Sequence, residues 1–167
     1  MARTPRTAPA TTKAVGYIRV STDKQVDHGI SLDAQRTKLE AYAALYDLEL
    51  VEVIVDAGVS AKTLHRPGLQ QALGMLRRGE ADALLVAKLD RLTRSVKDLG
   101  TLLDKYFADD FTLLSVADSI DTRTAAGRLV LNVLMSVAQW ERETIRERTT
   151  EAMHHLKEQG RYAGGEA

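Results

Sequence analysis

Two short segments carry residues that could do chemistry. The first is Tyr17-Ile18-Arg19-Val20-Ser21. It reads as a buried strand that ends in a hydroxyl. Tyr17, Arg19 and Ser21 alternate along it and so share one face, while Ile18 and Val20 point the other way, into a core. Thr22 and Asp23 break the strand, and a loop after a rigid strand suits a reactive serine. The second segment, residues 88–94, is Lys-Leu-Asp-Arg-Leu-Thr-Arg. Arg91 and Arg94 are three apart and can share one face of a turn. Taken alone, the first segment also fits an edge strand facing water, and the second a solvated lead-in to a helix.

Arginine is a natural ligand for a phosphodiester, because its planar fork bonds two phosphate oxygens and keeps its charge at working pH. Several converging arginines would stabilise the extra charge of a pentavalent phosphorus, since phosphoryl transfer is mostly positioning and electrostatics. Ser21 among them is a candidate nucleophile that would form a covalent intermediate. No histidine is placed as its base, so activation falls to arginine or to a carboxylate such as Asp90. No metal cluster is evident, and the arginines would stand in for divalent ions.

The elements that must position these residues alternate. Strands are predicted over 14–20, 49–55, 83–87 and 111–116. Between them lie a helix capped by Ser31, with Asp33 in its first turn; a helix over 67–78, with Pro67 at its start and Gly79 at its end; and a helix from Ser95 to about Ala108, opened by a Ser95–Asp98 capping box. Residues 22–30, 56–66, 88–94 and 117–124 read as loops. From Thr124 to Gln159 the pattern is one helix, roughly 50 Å long. Val130, Val133, Leu134, Val137 and Ile145 form an apolar stripe on it that needs a partner, which points to a dimer. The expected fold is α/β: a mainly parallel central sheet of four to five strands flanked by helices, with a long C-terminal helix for dimerisation. The division is a disordered tail over 1–13, an α/β catalytic domain over 14–125, a dimerisation helix over 126–159, and a linker or truncated end over 160–167. Sites in such sheets form beyond the carboxyl ends of strands. Ser21, Asp56, Arg66, Asp90, Arg91 and Arg94 would gather there, joined by Arg19 from the strand itself.

Bulk properties constrain less. The chain has 167 residues, 44% of them hydrophobic, which is one domain with a real core. Lys+Arg and Asp+Glu number 23 each, so any basic site is local. Without cysteine there are no disulfides and no thiolate metal sites. No apolar run is long enough for a membrane span or a signal peptide, which leaves a cytoplasmic protein as the expectation.

The combination Tyr17-Ile-Arg-Val-Ser21-Thr22, Ser31-Leu-Asp-Ala-Gln35, Arg66-Pro67, Lys88-Leu-Asp-Arg-Leu-Thr-Arg94 and Ala138-Gln-Trp-Glu-Arg142 resembles the catalytic domain of the serine recombinases, the family of resolvases, invertases and large serine integrases. The resemblance covers about residues 14–160. It implies a serine that attacks a DNA phosphodiester and becomes joined to the 5′-phosphate, releasing a 3′-hydroxyl. Subunits that are dimers alone and tetramers in the synaptic complex would exchange and reseal the strands with no cofactor. By match, Ser21 is the nucleophile; Arg19, Arg66, Arg91 and Arg94 bind the phosphate; and Asp90 is a general acid or orients the arginines. Tyr17, Gln35 and Asp56 match supporting active-site positions, with Gln25 a looser match. Glu147 and Arg148 match charged positions on the long helix near the dimer interface and DNA. Family members carry a DNA-reading domain after that helix, and residues 160–167 leave no room for one, so recombination by this chain alone is expected to be weak or absent.

The alternative of another class is a non-catalytic or regulatory dimerisation fragment of a recombinase. A nucleotide-binding module is disfavoured by the absence of a P-loop or Gly-x-Gly-x-x-Gly turn. Ser21-Thr-Asp-Lys24 matches the Ser-x-x-Lys of penicillin-binding enzymes without their companion motifs.

Overall fold

The computed structural model describes residues 11–20 and 31–160. Five strands form one sheet in the order β2-β1-β3-β4-β5, with β1 at Thr12–Val20, β2 at Leu48–Ala57, β3 at Ala83–Val86, β4 at Thr112–Ser115 and β5 at Ile120–Asp121. The first four are parallel and β5 is antiparallel. The helices are α1 at Leu32–Leu45, α2 at Pro67–Arg78, α3 at Val96–Leu102 and α4 at Ala125–Glu158. A 3-10 turn at Leu89–Arg91 follows β3, and a π turn at Leu103–Phe107 follows α3.

The chain lays β2 on one side of β1 and β3 on the other, so the winding reverses at β1. Crevices in open α/β sheets form at that reversal, beyond the strand's carboxyl end. β1 is therefore central, with both faces covered. Val15 and Tyr17 join one core with Leu69, Leu73, Leu84 and Leu103. Ala14 and Ile18 join another, with Leu39, Ala43 and Leu85. A strand buried on both faces reads as a near-continuous apolar run, which is how 14–18 reads.

The caps read at Ser31 and Ser95 form, and Thr124 supplies a third that the sequence reading did not name. Ser31 Oγ accepts the Ala34 amide at 3.1 Å, Ser95 Oγ accepts that of Asp98 at 3.2 Å, and Thr124 Oγ1 accepts that of Gly127 at 3.0 Å. Gly79 ends α2 in the left-handed region at φ 74°, where a side chain would be strained.

Four boundaries depart from the sequence reading. Thr12 and Lys13, read as tail, pair with Leu48 and Glu49, because ladder bonds use backbone and do not require apolar side chains. β2 runs on to Ala57, so Asp56 lies on a strand rather than in a loop. The helix expected to reach Ala108 widens into the π turn, where Phe111 N–H donates to Tyr106 O at 3.0 Å. The expected loop at 117–124 contains β5, too short for any periodic signal.

α4 has 34 residues, about 51 Å. It packs on the body through Leu131, Leu134, Met135 and Ala138. A Cβ on Gly100 of α3 would stand 2.4 Å from Ala138 Cβ, so the two helices touch backbone to side chain there. Of the expected stripe, only Leu134 meets the core. Val130, Val133, Val137 and Ile145 are exposed, as are Leu129 and Trp140. No helix among the described residues is long and apolar enough to cross a membrane.

Candidate active site

The site forms where the ends of β1 and β2 meet the 3-10 turn and the start of α2. Val20 O closes the end of β1 by accepting the amides of Gly58 at 2.7 Å and Val59 at 3.3 Å. One residue earlier, two side chains fix the backbone. Arg19 O accepts Gln35 Nε2 at 3.4 Å and Arg91 Nη1 at 3.0 Å. The Arg19 guanidinium reaches back, donating to Val59 O at 3.1 Å and Asp90 O at 3.5 Å. Strand end and turn thus clasp each other, each arginine bonding the other segment's main chain. Asp90 Oδ1 accepts Arg91 Nε at 3.1 Å, and about a third of the Asp90 side chain stays exposed.

Arg66 ties the second half together. It is 0% exposed. Its Nε donates to Thr63 O at 3.0 Å, Nη1 to Tyr17 Oη at 2.8 Å and to Arg91 O at 2.9 Å, and Nη2 to Leu92 O. Its guanidinium carbon also stands 5.5 Å from the centre of the Tyr17 ring. Burial lowers the Arg66 pKa from its ordinary value, and Tyr17 and Asp56 beside it act against that loss. Tyr17 Oη passes the chain on, donating to Asp56 Oδ2 at 2.8 Å. Burial raises the Tyr17 pKa well above the ordinary tyrosine value, with Arg66 opposing and the bond to Asp56 adding to the rise, so the hydroxyl keeps its proton.

Asp56 is 5% exposed and caps α2 from outside the helix. Oδ1 accepts the Gly68 amide at 2.8 Å, and Oδ2 accepts that of Leu69 at 3.0 Å. These are the orphan donors of the first turn, and negative charge is favoured there. The helix's own N-cap, Arg66, supplies no side-chain cap. A Cβ on Gly68 would fall 2.7 Å from Asp56 Oδ1, so only glycine lets the carboxylate approach this closely.

Tyr17, Arg19, Gln35, Asp56, Arg66, Asp90 and Arg91 therefore belong to one connected hydrogen-bond network. Arg94 follows the 3-10 turn and is exposed, the one among Arg19, Arg66, Arg91 and Arg94 that is. Glu147 and Arg148 lie on the exposed outer part of α4, outside this network. Ser21 and Gln25 lie outside the described residues; Ser21 directly follows Val20 in the chain. Sequence reasoning missed the carbonyl acceptors at Val59, Thr63, Arg91 and Leu92, because every residue carries a carbonyl and nothing in a side chain announces its use.

Chemically, the arrangement offers buried, oriented positive charge around the exit of β1, and Arg94, three residues after Arg91, is exposed. Residues 14–162 match the family described as resolvase, N-terminal domain. The DNA-invertase of Escherichia phage P1 is 38% identical over 150 residues, covering 90% of this chain and 73% of that protein. The N-terminal catalytic domain of TP901-1 integrase superposes with a TM-score of 0.72 at 36% identity, covering 80% of this chain and 98% of that one. A resolvase family site-specific recombinase from Streptococcus pneumoniae gives 0.70 at 32%, covering 89% and 99%.

Proposed function

Because the chain belongs to the resolvase N-terminal domain family of serine recombinases, we propose that it is a DNA strand-exchange catalytic domain that cleaves through Ser21. The Ser21 hydroxyl loses its proton as its oxygen attacks a DNA phosphorus. The bond from phosphorus to the 3′-oxygen breaks, and that oxygen takes up a proton. A 5′-phosphoserine remains, and attack by a 3′-hydroxyl from another strand reverses the step, so no outside energy source is needed.

The observation that carries the reading is the clasp at the end of β1. Arg91 holds the Arg19 carbonyl two residues before Ser21, Arg19 holds the Asp90 carbonyl in return, and Arg94, three residues after Arg91, is exposed. In this structure Arg19 donates to the carbonyls of Val59 and Asp90, and Arg91 to the Arg19 carbonyl and the Asp90 carboxylate. A phosphodiester carries the opposite charge and can accept two guanidinium N–H groups side by side, which a single carbonyl cannot, so DNA would draw arginine donors toward the scissile phosphate. Asp90 orients Arg91 and is the carboxylate available as an acid. Gln35 and Tyr17 support the clasp and the Arg66 network. Arg66, buried and bonded to four groups, acts by tying the turn to β1 and α2.

In this reading residues 14–125 catalyse and residues 126–159 join two copies. The exposed Leu129, Val130, Val133, Val137 and Trp140 supply the joining face. Two dimers would act on DNA as a tetramer in the cytoplasm, with Glu147 and Arg148 near the interface or the DNA.

Covalent trapping tests the mechanism. The chain is fused to a zinc-finger array and incubated with duplexes carrying two finger sites around a randomised centre. The mixture is then quenched in denaturant and run on a denaturing gel. A protein–DNA adduct that Ser21→Ala abolishes and Arg91→Ala strongly reduces is expected. A folded, dimeric fusion that yields no Ser21-dependent adduct would refute catalysis.

A further inference from the structure

We propose that Asp118, in the reversal between β4 and β5, is a positioning residue that sets the turn carrying Asp90 and Arg91. This rests on the recombinase reading and extends it to a residue outside the arginine network.

The chain leaves β3 alongside β4, and their pairing continues past both strand ends. Val116 N–H donates to Val86 O at 3.0 Å and Ala117 N–H to Ala87 O at 2.9 Å. Lys88 is still extended, at φ −157° and ψ 150°, and the backbone folds sharply at Leu89. The Leu89 amide opens the 3-10 turn and has no acceptor within it. Asp118 Oδ2 accepts that amide at 2.8 Å. The same oxygen accepts Ser115 Oγ at 2.6 Å, and Ser115 is 0% exposed. A buried serine at the end of β4 therefore aims the carboxylate, and the carboxylate fixes the first residue of the turn.

The backbone of the reversal is built to deliver this contact. Ser119 sits at φ 53°, a region costly for a residue with a Cβ, and its amide donates to Val116 O at 3.3 Å. That conformation turns the chain directly after Asp118. From Leu89 the consequence runs two residues to the clasp, where Asp90 O meets the Arg19 guanidinium and Arg91 Nη1 meets Arg19 O. Without the Asp118 contact, the first residue of the turn loses the acceptor of its amide, while the bonds farther along remain: Arg91 N–H to Lys88 O, Leu92 N–H to Leu89 O, and the Arg19 and Arg66 guanidinium bonds to Asp90 O, Arg91 O and Leu92 O. Small errors in where Arg91 sits would then reach the reacting phosphate.

The test uses the full chain with Asp118→Ala, which removes the acceptor, and Asp118→Asn, which keeps an oxygen in its place. Amide hydrogen exchange at Leu89 reads the contact directly. The finger fusion described above, on the same duplex pool, reads DNA affinity and the rate of adduct formation separately. Asp118→Ala is expected to lose Leu89 protection and to slow adduct formation about tenfold at unchanged DNA affinity, as misplacement of a catalytic group does. Asp118→Asn is expected to stay within about twofold of the parent in both, since a neutral acceptor keeps most of a hydrogen bond's net contribution. An adduct rate for Asp118→Ala equal to the parent's, or Leu89 protection left intact, would overturn the inference. So would an Asp118→Asn variant as slow as Asp118→Ala. A parent fusion with no Ser21-dependent adduct would instead refute the recombinase reading, and Leu89 exchange would still decide whether Asp118 holds the turn.

Discussion

Removing the Asp56 carboxylate should destabilise the fold more than any single surface change, and the size can be worked from its contacts. Asp56 accepts three donors in a site that is 5% exposed: the Gly68 amide, the Leu69 amide and Tyr17 Oη. Asp56→Ala leaves all three without an acceptor and takes the nearest negative charge from Arg66. Breaking a buried charged group's partnership costs about 3–5 kcal/mol. Asp56→Asn is subtler. Both carboxylate oxygens accept, so whichever way the amide is turned, its NH2 faces at least one N–H or O–H donor. The loss of one charge-assisted bond there is about 1.5–3 kcal/mol. For a domain of this size each kcal/mol moves Tm by roughly 2–4 °C. The expected drops are thus about 6–20 °C for Asp56→Ala and about 3–12 °C for Asp56→Asn, combining these ranges. Urea unfolding with fitted m-values, alongside calorimetry, gives both. A Tyr17→Phe, Asp56→Asn double-mutant cycle should show a coupling above about 0.5 kcal/mol, because the two residues share a bond. If Asp56→Asn unfolds within about 0.5 kcal/mol of the parent, as typical surface substitutions do, the capping and network account of Asp56 is wrong.

Gly68→Ala should cost about 1–3 kcal/mol by forcing its Cβ against the Asp56 carboxylate, and adding it to Asp56→Ala should cost far less, which urea unfolding of the three variants would reveal. Tyr17 gives a pH signature: its folded-state pKa is raised, so its contribution is full below the ordinary tyrosine value of about 10 and fades as pH climbs above it. Stability between pH 8 and 11 should therefore fall more steeply in the parent than in Tyr17→Phe, and parallel curves would show that the hydroxyl is not held as described. Val133→Glu with Val137→Glu should move the chain from dimer to monomer in sedimentation, since both side chains are exposed on α4; a parent that is monomeric at every concentration tested would count against the joining face.

The residues of the site were legible because their types are unusual for their places. An arginine inside an apolar strand and a turn with two arginines and an aspartate are rare enough to notice. Their roles were less legible. Arg66 reads as a phosphate ligand by type, yet it is fully buried with its donors on protein oxygens, and burial of that kind depends on carbonyls contributed by distant turns. Asp56 caps a helix that starts eleven positions later, so no local capping pattern reveals it. The sheet and helices followed from β-branched runs and capping residues, whereas β5 and the π turn did not. Two residues are too few for a strand period, and a widened turn leaves the apolar spacing nearly unchanged.

The contact of Gly100 with Ala138 acts as a fulcrum. From Ala138 to the end of α4 at Glu158 the helix continues for about 30 Å. Every residue from Ile145 to Gly160 is exposed, so none of the other described residues steadies that arm. A tilt of roughly 10° at the fulcrum displaces the far end by about 5 Å, from the helix rise alone. The smallest side chains in the molecule thus stand where small angular changes have their largest reach. Whatever grips the outer arm has leverage on the body through α3, and a single methyl added at residue 100 would reset the angle of the whole arm.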